Sequence, residues 1–403
     1  MRTVWTGRLA CFGDDLARTT FKFLHVTRAA GRRGLMLFGH MTPRKFANVL
    51  SASADFFLSR QVPHGLPPLV AIDVSPRCNL HCTVCVHAWP GQTPHLRPQH
   101  FRPDMAVEDY RRVIAQLAGR CLGVQLYYLG DPIVHPELPQ LCRIAAEAGL
   151  YVQFSTNLSV PLSEERLEAL VTSGLSTLTL CIDGMTQEVY GRTRVGGNIA
   201  LVIENLRRLC AIRRRLHQRR PRIEVQFIRF RHNQHEIEAA QRLCRELGVD
   251  QFASFWGVLS NYSDQDDYRR FQVYGPRPKR PVPNCHMPYL TAVIKSNGDV
   301  LPCGIFRRCE QYAEGGDARP LGNLLQTPLE ELWRSEPYRR LRRLVRDPSL
   351  ADRDTDYQAC FCHSCPIIYR TSAPEALRRG SDYDWEDLYE LNADGLPVLK
   401  GPR

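Results

Sequence analysis

The chain has 403 residues, 43% of them hydrophobic, and a formal net charge of +11. That length predicts two or three domains with enough apolar residues for a large core. No apolar run is long enough to span a bilayer, and no basic segment followed by an apolar core and cleavage site indicates a secretory signal. The fifteen cysteines include a triplet near the start and a group near the end, which favours metal thiolates in a reducing cytoplasm over a disulfide scaffold.

The excess of basic residues is compatible with an anionic partner. Much of it is arginine in predicted helices, such as the run Arg213, Arg214 and Arg215. No basic motif is interleaved with aromatic residues as in nucleic-acid-binding modules, so we expect no nucleic acid partner.

Residues 1–66 predict a basic, helical N-terminal extension. Between residues 43 and 60 the apolar side chains recur at three- and four-residue spacing, as in an amphipathic helix: Phe46, Val49, Leu50, Ala54 and Phe57. We expect this apolar face to pack on the domain that follows. Peripheral membrane contact through residues 43–60 is the alternative.

Residues 67–260 alternate apolar strands with amphipathic helices in six repeats. The predicted strands are 69–74, 124–129, 151–155, 177–182, 223–228 and 252–256. Short connections between such repeats predict an α/β fold with a parallel sheet and right-handed crossovers. In sheets of this kind, ligands bind at the carboxyl ends of the strands.

A loop with three cysteines follows the first predicted strand. Cys78, Cys82 and Cys85 lie within eight residues, so their thiolates can converge on one cluster. A [4Fe–4S] cube takes four ligands, and with no fourth cysteine nearby one iron would stay open. The alternative is a structural zinc site, although zinc usually takes four closed ligands in paired Cys-x2-Cys form.

Polar residues follow the next three predicted strands. Gly130 and Asp131 come after the second strand, and a glycine there lets backbone approach a ligand closely. The ends of the third and fourth strands add hydroxyl, amide, thiol, carboxylate and guanidinium groups: Ser155, Asn157, Cys181, Asp183 and Arg194. Because the carboxyl ends of parallel strands meet at one edge, we expect these side chains to surround the cysteine loop.

A polar linker rich in Tyr, Arg and Pro is predicted over residues 261–284. The unit that follows, residues 285–370, begins with a hairpin whose turn contains Asn297-Gly298. The cysteines Cys285 and Cys303 flank this hairpin. Residues 371–403 form a C-terminal tail to which we assign no role.

The same unit ends in the pair Cys362 and Cys365, which with the hairpin cysteines makes a closed four-thiolate set. Zinc and a second iron–sulfur cluster both fit such a set. Cys360 is a spare cysteine that can replace Cys362 as a ligand.

The Cys-x3-Cys-x2-Cys loop resembles the cluster motif of the radical S-adenosylmethionine (SAM) enzymes. The resemblance implies a partial (β/α)6 barrel in which SAM binds the open iron of a [4Fe–4S] cluster. One electron then breaks a carbon–sulfur bond of SAM, and the 5′-deoxyadenosyl radical takes a hydrogen atom from a substrate carbon. By the same resemblance Arg194 holds the SAM carboxylate, and SAM is also bound at Gly130, Asp131, Ser155, Asn157 and Asp183.

The segment from Cys285 to Pro366 is similar to the C-terminal auxiliary-cluster domain of the SPASM/Twitch radical SAM subfamily. The resemblance implies that Cys285, Cys303, Cys362 and Cys365 hold an auxiliary [4Fe–4S] cluster. No cysteine follows Cys365, which favours the shorter Twitch form with one auxiliary cluster.

Twitch enzymes include dehydrogenases and epimerases of sugar and aminocyclitol units in antibiotic assembly. The resemblance therefore implies an oxidoreductase or epimerase that acts on a carbinol C–H bond of a small-molecule substrate, with an electron donor such as flavodoxin or ferredoxin. Cys181 stands where related enzymes usually have serine. One hypothesis is that its thiol returns a hydrogen atom and gives an epimer. The alternative is that the exchange of serine for cysteine is neutral. If no hydrogen atom is returned, loss of a second electron gives a ketone.

Two alternatives are open. The chain can be a radical SAM maturase of a ribosomally made peptide, with a separate partner protein for leader binding. It can also be a non-catalytic structural metal-binding module, which predicts tight zinc and no iron.

Overall fold

The structure is a computed structural model that describes residues 37, 39–82, 85, 103–256, 285–304, 320–363, 389–391 and 397–399. Within these residues, six parallel strands lie in the sheet order β6-β5-β4-β3-β2-β1. Neighbours in the chain are therefore neighbours in the sheet, which confirms the predicted α/β class. The strands are β1 (Leu69–Ile72), β2 (Gly123–Gln125), β3 (Tyr151–Thr156), β4 (Thr177–Cys181), β5 (Arg222–Arg229) and β6 (Gln251–Trp256).

Helices follow the strands, and side chains fix where several of them begin. Ser163 Oγ accepts the Arg166 N–H, and Asn198 Oδ1 accepts the Leu201 N–H, each at 3.2 Å. No helix in the described part of the chain is long and apolar enough to cross a membrane. The described helices are α1 (Pro43–Phe57), α2 (Val107–Leu117), α3 (Leu138–Glu147), α4 (Glu164–Val171), α5 (Gln187–Thr193), α6 (Ile199–Arg215), α7 (Ile237–Leu247), α8 (Met287–Leu290), α9 (Leu329–Trp333), α10 (Glu336–Arg346) and α11 (Thr355–Gln358).

The two faces of the sheet differ in chemistry. The face toward the helices is apolar and fully buried, with residues such as Phe154, Leu178 and Val225 in the main core. The other face, called the inner face below, carries the alternate positions. These side chains contact one another across strands: Gln153 donates to Thr179 at 3.4 Å, and Arg222 donates to Gln251 at 2.8 Å.

The second strand is shorter than the sequence predicts, since β2 ends at Gln125 instead of residue 129. Beyond Leu126 the backbone donors leave the sheet for the loop after β1. The Leu129 N–H donates to Asp73 at 3.2 Å, and the Asp131 N–H donates to the Arg77 carbonyl at 2.8 Å. The apolar side chains of this stretch are buried, but they pack beside that loop and not within a continued strand.

The C-terminal unit adds two strands to the same sheet. β7 (Thr291–Ile294) pairs in parallel with β1 over four residues, from Leu69↔Thr291 to Ile72↔Ile294, and β8 (Val300–Leu301) pairs antiparallel with β7. The hairpin turn uses Gly298 at φ +87°, as predicted from its Asn-Gly sequence. β1 therefore has a partner on both sides. A separate two-stranded sheet is formed by β9 (Tyr389–Leu391) and β10 (Pro397–Leu399).

The segment that contains Leu329 and Tyr338 forms two helices, α9 and α10, with a break at Arg334 and Ser335. Pro337 lies in the first turn of α10, where its missing N–H costs nothing, and it cannot continue the preceding helix. Trp333 and Tyr338 pack across the break with ring centroids 4.5 Å apart.

The helix predicted between residues 43 and 60 forms as α1, but the prediction of its buried face is wrong. Phe46 and Leu50 are 52% and 54% exposed, whereas Asn48 and Asp55 are buried. Asn48 makes three hydrogen bonds to backbone, two to Leu66 and one to the Arg120 carbonyl. These polar contacts fix the rotation of the helix about its axis. They decide which face is buried, against the preference of the apolar side chains.

Candidate functional site

The cysteine loop, residues 75–85, leaves the carboxyl end of β1 and is held by the loops after β3 and β4. The Asn79 side chain donates to the Ser159 carbonyl at 2.8 Å, and the His81 N–H donates to the Val195 carbonyl at 2.9 Å. At its start, the Arg77 guanidinium pairs with Asp104. The sequence gives no signal for these anchors, since each joins residues far apart in the chain.

Gly130 lets the end of β2 lie directly against this loop. A Cβ atom at residue 130 would stand 2.1 Å from the Arg77 carbonyl oxygen and 2.4 Å from the Ser75 carbonyl oxygen. Both are backbone atoms, so the contact cannot be relieved by a side-chain rotation. The predicted close approach at Gly130 is thus to the cysteine loop itself.

We expect Gly130→Ala to push the cysteine loop away from β2. The free energy of unfolding should fall by about 2–3 kcal/mol, because backbone must shift, and the reconstituted protein should hold less iron per chain. Urea unfolding and iron analysis measure the two effects. Gly191→Ala is the matched control: its added Cβ would lie 3.4 Å from the flexible Gln187 amide, within α5, and should leave iron content unchanged. Equal iron content in both variants would contradict the prediction.

The three thiols of the loop are half-buried and lie within electrostatic reach of one another. Enclosure by protein raises the pKa of Cys82 to about 12, although the nearby Arg194 guanidinium opposes the shift. Among the described residues no three His, Cys, Asp or Glu side chains converge closely enough to hold a metal ion. The ligand set Cys78, Cys82 and Cys85 therefore stays a prediction, and its donor chemistry, three thiols on one anchored loop, fits a cluster with an open iron.

Asp131 and Asn157, predicted to bind SAM, are joined to each other and to the cysteine loop. One Asp131 carboxylate oxygen accepts the Asn157 N–H at 2.6 Å, and the other accepts the Ile133 N–H at 3.0 Å. The Asn157 amide donates to Asn79 Oδ1 at 3.0 Å and lies 3.8 Å from the Cys78 sulfur. Burial raises the pKa of Asp131, and these hydrogen bonds oppose the shift. In this structure the pair ties the ends of β2 and β3 to the loop.

Arg194 lies beside the loop in a buried ion pair. Its Nε donates to Asp183 Oδ2 at 2.6 Å, while Asp183 Oδ1 accepts the Ile228 N–H at 3.0 Å. The guanidinium side chain is 17% exposed and interacts with the Cys82 thiol. Asp183 thus orients a cation toward the cysteine loop, and the remaining guanidinium nitrogens suit an anionic ligand.

Cys181 lies on the inner face at the end of β4, next to Ser155 at the end of β3. Their side-chain atoms Sγ and Oγ are 3.6 Å apart. Burial raises the pKa of Cys181, and the Arg194 guanidinium opposes the shift, so the sulfur is a protonated thiol at neutral pH. The structure brings this thiol to the same strand ends as the cysteine loop.

A residue missed in the sequence, Glu236, orders the chain after β4. Its carboxylate accepts the Met185 N–H at 2.5 Å and the Thr186 hydroxyl at 2.8 Å. Those residues lead into α5, which Arg194 follows directly. Because some fifty residues separate the partners, no local pattern indicates this contact.

The second cysteine set lies in its own apolar cluster. Cys285, Cys303 and Cys362 are each at most 7% exposed and share this cluster with Tyr128 and Leu129, which follow β2. Cys365 lies outside the described residues. Cys85 of the first loop packs against the same cluster, so the two predicted ligand sets are neighbours.

Cys360 packs at the edge of this cluster and is half-buried, with its thiol 3.7 Å from the Asp356 carbonyl oxygen. Burial raises its pKa to about 11. Cys362 is buried inside the cluster, which supports Cys362 over Cys360 as the ligand.

The fold and these two cysteine sets define a class of protein: iron–sulfur enzymes built on a parallel β/α barrel with an auxiliary cysteine domain. Two family models match the chain, "Radical SAM superfamily" over residues 72–219 and the SPASM "Iron-sulfur cluster-binding domain" over residues 285–366. The chain therefore carries a radical SAM domain followed by a SPASM domain. It accordingly binds SAM and a [4Fe–4S] cluster, with auxiliary iron–sulfur binding in the SPASM domain.

Similar proteins have several activities. A PqqA peptide cyclase of Rhodopseudomonas palustris is 24% identical over 348 residues, which cover 77% of this chain and 86% of that protein. A GTP 3′,8-cyclase of Chlorobaculum tepidum is 34% identical, but over 30% of this chain and 34% of its own length. The crystal structure of SuiB from Streptococcus suis has a TM-score of 0.51 at 16% identity, covering 74% of this chain and 72% of SuiB.

Proposed function

We propose that this radical SAM enzyme modifies a residue of a ribosomally made peptide. The observation that carries the proposal is the similarity to a PqqA peptide cyclase over 86% of that protein's length, through both the barrel and the SPASM domain. SuiB, which shares the fold, has also been crystallised with its precursor peptide. The proposal replaces the sugar or aminocyclitol substrate favoured from the sequence.

The inner face supports a peptide substrate. It carries neutral amides and hydroxyls that can pair with peptide N–H and C=O groups, together with the Arg222 guanidinium, which donates to Gln251, and the Glu224 carboxylate, whose described partner is the Gln226 amide at 3.2 Å. At the far side of the sheet, β6 has no further strand on its outer edge among the described strands. An open edge of this kind accepts an extended peptide by main-chain pairing.

The residues described above divide the chemistry between them. When bound, SAM and the first cluster would supply a radical able to take a hydrogen atom from a substrate carbon, and an auxiliary cluster would supply a site for electron exchange. Cys78, Cys82 and Cys85 would hold the first cluster, and Arg194, oriented by Asp183, would hold the SAM carboxylate. The apolar surroundings of Cys285, Cys303 and Cys362 would keep water from the auxiliary site.

Deuterium transfer tests the substrate class. The anaerobically reconstituted protein, with SAM and a flavodoxin or ferredoxin as electron donor, is given two deuterated pools: precursor peptides encoded beside its own reading frame, and a panel of sugars and aminocyclitols. We expect deuterium in 5′-deoxyadenosine from a peptide. Deuterium transfer from a sugar or aminocyclitol alone would overturn the proposal.

We further propose Cys181 as the hydrogen-atom donor in an epimerisation of the attacked peptide carbon. The thiol S–H bond breaks as the new C–H bond forms, and the sulfur radical is restored by one electron from the reductant and a proton from water. In heavy water, we expect the wild type to place one deuterium at that carbon. Cys181→Ala should place none, as measured by mass spectrometry of the peptide, while still forming 5′-deoxyadenosine. Unchanged deuterium in the variant would remove Cys181 from the mechanism.

A further inference from the structure

Helix α1 exposes an apolar face that the described residues of the chain do not cover. Phe46 and Leu50, four residues apart on one side of the helix, are 52% and 54% exposed. Leu58 and Val62, in the segment that follows the helix, are also exposed, at 60% and 45%. These four side chains are called the outward face below. Large apolar side chains exposed together on one helix face and just beyond its end are typical of an interaction site.

The helix cannot rotate to bury this face, because its opposite side is fixed by buried polar contacts. Asp55 Oδ2 accepts the N–H groups of His64 and Gly65, both at 2.8 Å. The Lys45 ammonium donates to the Gly149 carbonyl at 2.6 Å. The Asn48 side chain donates to the carbonyls of Leu66 and Arg120. Rotation would leave these buried groups unpaired, which costs more than exposing two apolar side chains.

These contacts also give the position of the helix on the barrel. Leu66 precedes β1, Arg120 precedes β2 and Gly149 precedes β3, so α1 lies at the amino ends of the strands. The cysteine loop lies at the carboxyl ends. If the outward face binds to a surface, the proposed catalytic site therefore faces away from that surface.

We propose that the outward face docks on an anionic lipid bilayer. The single acidic side chain of α1, Asp55, is buried and hydrogen-bonded, while Arg44 in its first turn is exposed. The 42 residues before it contain two acidic residues, Asp14 and Asp15, and seven basic residues: Arg2, Arg8, Arg18, Lys22, Arg28, Arg32 and Arg33. An apolar helix face beside basic residues is typical of interfacial membrane binding.

Charge decides between a bilayer and a second copy of the chain. Self-association would bring together two chains that each carry a net charge of +11. An anionic surface attracts the same charges. This inference is independent of the substrate proposed above.

Vesicle co-sedimentation tests the proposal with the full chain. Vesicles of phosphatidylcholine alone are compared with vesicles of equal parts phosphatidylcholine and phosphatidylglycerol. We expect binding to the anionic vesicles that weakens with added salt. The double variant Phe46→Ser, Leu50→Ser should bind at least about tenfold more weakly, because two apolar side chains no longer enter the bilayer.

Phe255→Ser is the matched control, since Phe255 is 45% exposed but lies on β6, away from α1. It should bind anionic vesicles like the wild type. All these positions are exposed, so thermal unfolding should confirm that the variants fold. The proposal fails if the wild type binds neither vesicle, if it binds both equally, or if the double variant binds as well as the wild type. A dimer in sedimentation that the double variant abolishes would assign the face to a second copy instead.

Discussion

Replacing Cys78, Cys82 or Cys85 by alanine is expected to reduce 5′-deoxyadenosine formation from SAM to the background of an enzyme-free reaction. Each substitution removes one of the three thiolates that the loop offers. The loop has no further thiol that could take the place of the lost ligand. Liquid chromatography of 5′-deoxyadenosine from anaerobically reconstituted protein, with dithionite as reductant, measures the effect. Far-ultraviolet circular dichroism should remain that of the wild type, because the loop is anchored by Asn79 and His81 through other atoms.

Cys244→Ala is the control for this experiment. Cys244 is a buried thiol on α7, outside both cysteine sets, and its loss should leave SAM cleavage and iron content unchanged. Cleavage that persists in the three loop variants would refute the cluster assignment. A protein that binds tight zinc and no iron would favour the structural metal module in its place.

Arg342→Ala is expected to lower the free energy of unfolding by about 3–5 kcal/mol. The side chain is 1% exposed and donates three hydrogen bonds to the carbonyls of Pro288, Gln61 and Trp333, at 3.0, 3.2 and 2.8 Å. Its guanidinium also lies 4.8 Å from the Trp333 ring centroid. Burial lowers the pKa of Arg342 to about 10, so it is charged at neutral pH. Its removal leaves a cavity and three carbonyls without that donor.

Urea unfolding followed by tryptophan fluorescence measures this loss. The neighbouring Arg340 provides the control: its ion pair with Asp356, at 3.1 Å, is solvent-exposed, and Arg340→Ala should change stability by less than about 1 kcal/mol. Similar losses in the two variants would show that the contacts of Arg342 do not hold the SPASM domain to the segment after α1.

The elements that the sequence predicts well are those whose apolar pattern is decided locally. The alternating pattern of β3 to β6 and the turn residues between them place these strands within two residues of their ends. The break before α10 also has a local cause, because Pro337 cannot continue the preceding helix. By contrast, α1 buries Asn48 and Asp55 because of backbone partners as far away as Arg120, and no periodicity reports such partners.

The candidate site was predictable in its residue types but not in its contacts. The cysteine spacing and the family resemblance pointed to the cofactors that the family matches support. The ligand set itself stays a prediction. That Asp183 holds Arg194, that Asn157 joins Asp131 to Asn79, and that Cys85 lies against the second cysteine set depend on long-range packing.

The pairing of β1 with β7 has a consequence for how the chain is made. The strand that delivers the cysteine loop receives its second neighbour from a segment roughly two hundred residues downstream. At ribosomal speed that neighbour emerges about ten seconds or more after β1 does. During this interval one edge of β1 is unpaired, so newly made chains would depend on chaperones until residue 291 has been added.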